Sequence, residues 1–294
     1  MNKHYRKYIL RILRHCLRSN KSYRIHKFRK DFGFYPDISH PVTFNEKILC
    51  RMISPERPDF MRTLADKLKA REYVGNIKPD LLPELYGIYK CTSEIDFSIL
   101  PDKFVLKCNH DSGSVVICTN KGNFNARQAK SKLALHMKMN MYFRTREWQY
   151  KQIPPRIICE EYIDRHCLES LGYTPDIFRF HCFNSEVKYV EVEYQDDKNN
   201  HYTNIYDNAW NIQPVMLNGR PNVPTDLPEP ARFDEAIGIA ETLSENMDYC
   251  RVDLYITSQK VYFSEFTFSP GNGREQFFPD IWDSKFGDKW LFSR

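Results

Sequence analysis

Residues 250–257, Cys-Arg-Val-Asp-Leu-Tyr-Ile-Thr, and residues 261–269, Val-Tyr-Phe-Ser-Glu-Phe-Thr-Phe-Ser, are strand-forming runs separated by three residues. They read as an antiparallel hairpin. Period-2 alternation puts Arg251, Asp253 and Tyr255 on one face, and Val252, Leu254 and Ile256 on the other. In the second strand Phe263, Glu265, Thr267 and Ser269 share a face, opposite Phe266 and Phe268. A loop of Ser258, Gln259 and Lys260 sets Asp253 directly against Glu265. Carboxylates opposed across strands repel, and a half-buried pair is costly to desolvate. A divalent cation removes both penalties. Hard oxygen ligands completed by phosphate oxygens are how Mg²⁺ is usually held. The competing reading is a structural hairpin with a solvated acidic face. The metal reading expects Asp253→Asn or Glu265→Gln to fold and even to stabilise the metal-free hairpin.

At 294 residues the chain is long enough for one large domain or two to three small ones. With 41% apolar and 28% charged residues it is globular. Its nine cysteines form no metal-spaced cluster, and Cys159 and Cys182 sit in apolar runs. That pattern suits reduced core thiols and a cytoplasmic setting. No apolar run reaches the length of a membrane span, and no signal segment is visible.

Charge is distributed unevenly. Residues 1–30 hold eleven Lys/Arg and no Asp/Glu, while the rest has 32 basic against 38 acidic residues. Tyr5, Tyr8, Ile9, Ile12, Leu13, Cys16 and Leu17 make one apolar helical stripe in that arm. A basic amphipathic helix can lie on an anionic membrane surface, or dock on the acidic body of its own chain. The acidic body and the lack of a recognition motif argue against nucleic acid.

Four segments follow: a basic amphipathic arm (1–40), a helical or α+β region (41–95), and portions 96–160 and 161–294. Thr43 and Glu46 make a capping box that opens a helix. Residues 62–75 read as a helix ended by Gly75. Strands are expected at 83–89, 104–110, 156–163, 176–184 and 186–194, with a tight turn at Asn184-Ser185. Further helices are expected at 125–140 and 233–247. Residues 165–175, 195–231 and the C-terminal tail have the least pattern and are the candidate substrate-reading segments. Strands interspersed with helices indicate α+β layers with antiparallel sheets.

Lys107 lies in an apolar strand, where a lysine usually has an anionic partner. The loop after it, His110-Asp111-Ser112-Gly113-Ser114, offers backbone N–H groups that can cradle phosphates. An ordinary hairpin with a snorkelling lysine is the bland alternative. Lys67 alone reads as a solvated helix lysine. Glu160-Glu161-Tyr162-Ile163 ends a strand. No Ser-His-Asp arrangement makes His110 catalytic. Trp148 reads as core.

The order of these parts is more specific than any one of them. An Asp-Lys step, a strand lysine, a Ser/Gly loop, an acidic strand end, then Arg-x-Asp and Glu-x-Thr on a hairpin resembles an ATP-grasp nucleotide site. The chain is similar to the TupA-like ATP-grasp family of teichuronopeptide and surface-polysaccharide biosynthesis. The matching text is Pro41–Lys47, Leu64–Lys67 with Arg71–Val74, Ile95–Phe97, Leu100-Pro101, Phe104–His110, Ser112-Gly113, Arg146–Lys151, Pro154–Ile158, Phe180–Asn184 and Tyr262–Gly271.

The resemblance implies an ATP-grasp fold, with two α+β subdomains (here 96–160 and 161–294) gripping ATP between antiparallel sheets. It implies that Lys67 and Lys107 bind ATP phosphates under the loop of His110, Ser112, Gly113 and Ser114. Glu160, Ile163 and the backbone near Glu161 would line the adenine. Asp253, Glu265 and Thr267 would hold Mg²⁺, and Arg251 would act with Lys107 in catalysis. Two positions depart from the family pattern. Thr267 stands where many such ligases have Asn, and Ile177-Phe178-Arg179 replaces Asp-Tyr-Lys, leaving Asp176 as the ribose candidate. The implied activity joins a carboxylate to an amine through an acyl phosphate. A uronic acid of a glycan or its precursor would supply the acid and an amino acid the amine. The rival activities are a glycosyltransferase, an ATP-dependent sugar kinase and a binding module with a degenerate site. A metal-dependent transferase commonly carries Asp-x-Asp, which this chain lacks.

Overall fold

A computed structural model describes residues 3–165 and 169–292. The first elements are α1 (Lys3–Leu17), α2 (Asn20–Phe32), α3 (Phe44–Ile53), α4 (Asp59–Ala65), α5 (Lys67–Ile77), β1 (Leu85–Tyr89), β2 (Phe104–Cys108) and β3 (Val116–Cys118). Next come α6 (Ala126–Met137), α7 (Met141–Thr145), β4 (Ile157–Glu161), β5 (Tyr173–Phe183), β6 (Glu186–Asp196) and β7 (His201–Tyr206). The last are β8 (Met216–Leu217), α8 (Phe233–Leu243), β9 (Tyr249–Ile256), β10 (Val261–Thr267), β11 (Phe277–Phe278) and α9 (Ile281–Asp288).

Two compact units share the chain. The first takes the described residues up to Arg24, with Arg57–Tyr73 and Pro83–Ile163; the second takes Ile25–Glu56, Val74–Leu82 and the described residues from Asp164 on. Both units cut across the four sequence segments.

The first unit holds an antiparallel sheet of order β1-β4-β2-β3. Phe104, Leu106 and Cys108 of β2 point into a core with Ile157, Cys159 and Leu133 of α6. The opposite face carries Val105 and Lys107, and Val105 lies opposite Glu160 in β4. Alternation on one buried strand thus sets a lysine and a glutamate on the same side.

Asp66 divides the helix expected over 62–75. Its backbone is extended (φ −79°, ψ 112°), and its Oδ1 accepts from the Leu68 N–H at 3.0 Å and the Asn109 amide at 2.8 Å. An Asp that bonds the N–H two residues on starts a new helix rather than continuing the old one. Gly75 stays inside α5, which runs on to Ile77.

The arm docks on its own unit. The buried Tyr8 hydroxyl accepts from the Asn140 N–H at 2.9 Å, and the Tyr8 ring meets Phe143 edge-on at 6.3 Å. His15 bonds the Tyr142 hydroxyl at 2.7 Å. Arg146, left-handed at φ 65°, donates to the Arg18 carbonyl at 3.0 Å and the Asn20 side chain at 2.9 Å.

The second unit holds an antiparallel sheet of order β10-β9-β5-β6-β7. An aromatic core gathers around Phe44, whose ring lies 5.1 Å from Tyr249 and 5.7 Å from Phe286. Helix α3, which carries Phe44, begins with the expected capping box of Thr43 and Glu46. The cap contributes about 1 kcal/mol. The Asn184-Ser185 turn has φ of 51° and 66°, the type I′ geometry that matches strand twist.

Strand β7 and helix α9 were not expected. In β7 the buried Asn204 breaks the apolar signal. It is satisfied internally, donating to the Tyr206 hydroxyl at 2.8 Å and accepting from the Val223 N–H at 2.9 Å. Part of the low-pattern segment 165–175, residues 166–168, lies outside the described residues.

The hairpin departs from simple alternation. The Thr257 N–H bonds the Lys260 carbonyl at 3.0 Å, so the turn is shorter than three residues. A register shift between Phe263 and Glu265 makes up the difference and brings Glu265 opposite Asp253. The bulge also breaks the expected parity: Phe263 packs beside Phe266, rings 4.9 Å apart, instead of sharing a face with Glu265.

Candidate active site

In the first unit Lys107 meets one buried carboxylate, Glu160. Lys107, only 8% exposed, is ion-paired through Nζ with Glu160 Oε1. Arg71 approaches the other oxygen of Glu160 at 3.4 Å and donates to the Pro83 carbonyl at 2.8 Å. The Glu160 side chain is therefore engaged with cations. Glu161 accepts from the Glu84 N–H at 3.1 Å, and Ile163 is buried beyond the end of β4.

Lys67, the first residue of α5, donates through Nζ to the Asp111 carbonyl at 2.9 Å, and its N–H bonds the Asn109 carbonyl at 3.1 Å. Asn109 ties this corner to the Arg156 N–H at 2.7 Å. The following loop is organised from within. Ser114 Oγ accepts from the Cys108 N–H at 2.8 Å and donates to Asp111 at 2.6 Å, and His136 pairs with the other Asp111 oxygen. Burial pushes the Asp111 carboxyl up, but the bonds from His136 and Ser114 outweigh it and hold the group below its usual range.

His110 is buried, with its ring nitrogens 3.3 Å from the Asn109 carboxamide oxygen and 3.0 Å from the Met139 carbonyl. Burial lowers its pKa. The side chains of His110 and Ser114 thus shape the loop, while Ser112 and Gly113 (φ 94°) form its exposed tip.

In the second unit, pairing brings Glu265, Asp253, Arg179 and Glu191 into one row across β10, β9, β5 and β6. The next row is Thr267, Arg251, His181 and Tyr189. Arg251 grips both oxygens of Asp253 at 2.8 Å and donates to Thr267 at 3.3 Å. Arg179 bonds Glu191 at 2.5 Å and Glu193 at 2.7 Å, and lies 3.8 Å from Asp253. Burial pushes the Asp253 carboxyl up to about 6 against the pull of Arg251 and Arg179, and the charge of Glu265 adds to the rise.

For Asp253 this pairing corrects the expectation that removing a hairpin acid relieves it. Asp253 neutralises Arg251, so its loss leaves a buried guanidinium short of a partner. Asp176 lies apart from these two rows, ion-paired with Arg165 at 2.9 Å.

The hairpin suits a hard divalent cation. It offers two carboxylates in register and a hydroxyl; the Asp253 pKa is raised mainly by burial and in smaller part by the charge of Glu265, and a cation offsets both. Among the described residues no group of three or more His, Cys, Asp or Glu forms a metal cage. One or two carboxylates completed by ligand phosphates is the usual Mg²⁺ arrangement.

Arg179, His181, Glu191 and Glu193 were not singled out as site residues. Their signal was present as polar residues at alternate positions in the apolar strands Phe178–Phe183 and Val187–Tyr194.

A family model described as TupA-like ATPgrasp matches residues 46–291. The fold is that of an ATP-grasp protein. The chain belongs to the TupA-like ATP-grasp family. No curated protein matches it. Among solved structures, D-alanine–D-alanine ligase from Bacillus anthracis complexed with ATP is 14% identical, with TM-score 0.44, over 78% of this chain and 65% of that one. A RimK domain ATP-grasp protein from Sphaerobacter thermophilus is also 14% identical, with TM-score 0.40, over 86% and 72%. The ATP-grasp ligase PsnB complexed with its minimal precursor is 9% identical, with TM-score 0.39, over 71% and 53%. The chain thus spans about two thirds or less of two of these proteins.

Proposed function

We propose that this protein is an ATP-dependent carboxylate–amine ligase that makes an amide through an acyl phosphate. The observation that carries the reading is the Arg251–Asp253–Glu265 arrangement, an acid pair in register beside a buried arginine. ATP with Mg²⁺ would supply the phosphoryl group that turns the carboxylate oxygen into a leaving group. Lys67 and Lys107 would bind phosphates, and Asp253, Glu265 and Thr267 would hold the metal. Arg251 would stabilise the negative charge that develops as the amine attacks the acyl carbon and phosphate departs. The backbone of Glu160, Glu161 and Ile163 would line the adenine, with Asp176 at the ribose.

The family's association with surface polysaccharide supports a uronic acid of a glycan or its precursor as the acid and an amino acid as the amine. A place at an anionic membrane surface fits α1. Its docked Tyr8 points roughly 140–180° away from Leu10, Leu13 and Leu17, at about 100° per residue, so Tyr8 does not share the expected stripe with Leu13 and Leu17: Tyr8 is buried and the leucines are exposed. Those leucines are 51%, 57% and 85% exposed, and residues 1–30 around them carry only basic charges. Among the described residues no helix is long and apolar enough to cross a membrane.

Thermal unfolding with ATP, GTP or UDP-glucose, each with and without Mg²⁺, tests the central reading. A Mg²⁺-dependent upward shift with ATP, lost in Lys107→Ala, is expected. A shift with UDP-glucose alone would move the assignment to glycosyl transfer. If ATP supports the shift, a stable phosphorylated sugar as product would instead mark a kinase.

A further inference from the structure

The Lys107–Glu160–Arg71 cluster contains more positive charge than a structural ion pair needs. Glu160 is one buried carboxylate with two cations, and all three side chains are at most 13% exposed. The two cations differ in freedom. Lys107 carries its ammonium on a flexible four-carbon stem. Arg71 is held at two points, by Glu160 and by the Pro83 carbonyl. Burial pulls the Arg71 pKa down and the Glu160 charge opposes that pull, as expected of a guanidinium kept as a counter-ion.

We propose that Arg71 is a positioning residue that lets Lys107 leave Glu160 for the nucleotide. The inference rests on the reading of Lys107 as a phosphate ligand. While Lys107 remains on Glu160, its charge is shared and its reach is limited. When a phosphate draws the ammonium away, Glu160 must keep a counter-charge or become an unpaired buried carboxylate, a strongly destabilised state. Arg71 supplies that charge from a fixed position. A chain with two neutral residues in place of Arg71 and Glu160 would have nothing to compensate, and Lys107 would move without penalty.

That last point gives the test. ATP affinity is measured by calorimetry with Mg²⁺ on the full chain, for wild type, Lys107→Ala, Arg71→Gln, Arg71→Lys and Arg71→Gln/Glu160→Gln. Thermal melts without nucleotide confirm folding. Arg71→Gln is expected to weaken ATP binding about 10- to 100-fold, or about 1.4–2.8 kcal/mol. Arg71→Lys keeps the charge but cannot hold both anchors at once, so its affinity should fall between wild type and Arg71→Gln. The double variant should recover most of the lost affinity, an outcome that damage to packing alone would not give.

Wild-type affinity in Arg71→Gln overturns the inference, as does a double variant no tighter than the single. If Arg71→Gln fails to fold, a folded double variant with near wild-type affinity still supports the inference, and a folded double variant that binds weakly overturns it. If both variants fail to fold, Arg71 is a structural residue and the inference falls. If wild type does not bind ATP, or Lys107→Ala binds it equally well, the nucleotide reading itself has failed. That result differs from binding through Lys107 with Arg71 indifferent.

Discussion

The two charged sheet faces carry opposite excesses. In the first unit one carboxylate, Glu160, is shared by Lys107 and Arg71, with Lys67 anchored on the neighbouring loop. In the second unit Arg179, Arg251 and Arg220 face Glu191, Glu193, Asp253 and Glu265. His181 adds little positive charge, since burial lowers its pKa. Both faces use cross-strand register to bring charges together. The first retains spare positive charge, which suits an anion; the second retains spare negative charge, which suits a cation. Opposite surpluses also imply opposite responses to mutation, since loss of a majority charge relieves a face and loss of a minority charge exposes it.

Asp253 belongs to its face's majority, yet it is the bidentate partner of Arg251, so Asp253→Asn tests the comparison hardest. It is expected to cost roughly 3 kcal/mol of stability by chemical denaturation and to reduce Mg²⁺-dependent ADP release at least about 100-fold. Glu265→Gln should lose ADP release similarly but change stability by less than about 1 kcal/mol. Equal destabilisation by the two would show that the hairpin acids share Arg251.

Next in size is Lys107→Ala. Arg71 still neutralises Glu160, so unfolding free energy should fall by no more than about 1–2 kcal/mol, while the ATP-induced rise in melting temperature disappears. A variant that unfolds outright would mean that Arg71 alone does not hold Glu160.

A smaller effect concerns the loop. Asp111 has a folded pKa below its unfolded value. Its contribution is therefore present above the unfolded pKa, near 4, and is lost as pH falls through the folded value. Amide exchange at residues 108–114, referenced to intrinsic rates, should lose protection on acidification. Asp111→Asn should remove that pH dependence.

The smallest effect is on the thiols. Burial pushes Cys108 and Cys159 up to about 12, while Cys16 and Cys91 are exposed. Alkylation near pH 8 should label Cys16 and Cys91 quickly and reach Cys108 and Cys159 only on unfolding.

Much of the fold was legible where local rules act alone. Thr43 and Glu46 form the capping box that their spacing announced, and Asn184-Ser185 makes the expected turn. The Asp253–Glu265 pairing was also anticipated, though by another route. A short turn and a bulge, each one residue from the expectation, cancel in register but leave Phe263 on the other side. What sequence reasoning missed depended on partners distant in the chain. Asn204 reads as a strand breaker until the Val223 N–H satisfies it. Asp66 reads as mid-helix until Asn109 arrives. Arg179 and Glu191 are ordinary strand charges until register sets them beside Asp253.

Docking of α1 has a practical consequence for anyone who shortens the chain. Removing the first eighteen residues would take the Tyr8 hydroxyl from the Asn140 amide and the Arg18 carbonyl from Arg146. It would also uncover the Tyr142 and Phe143 rings. A shortened protein that aggregates would therefore report a lost internal support, whatever the arm does elsewhere. Polar replacements at the outward-facing Leu10, Leu13 and Leu17 would probe the arm's exposed side while leaving that support in place.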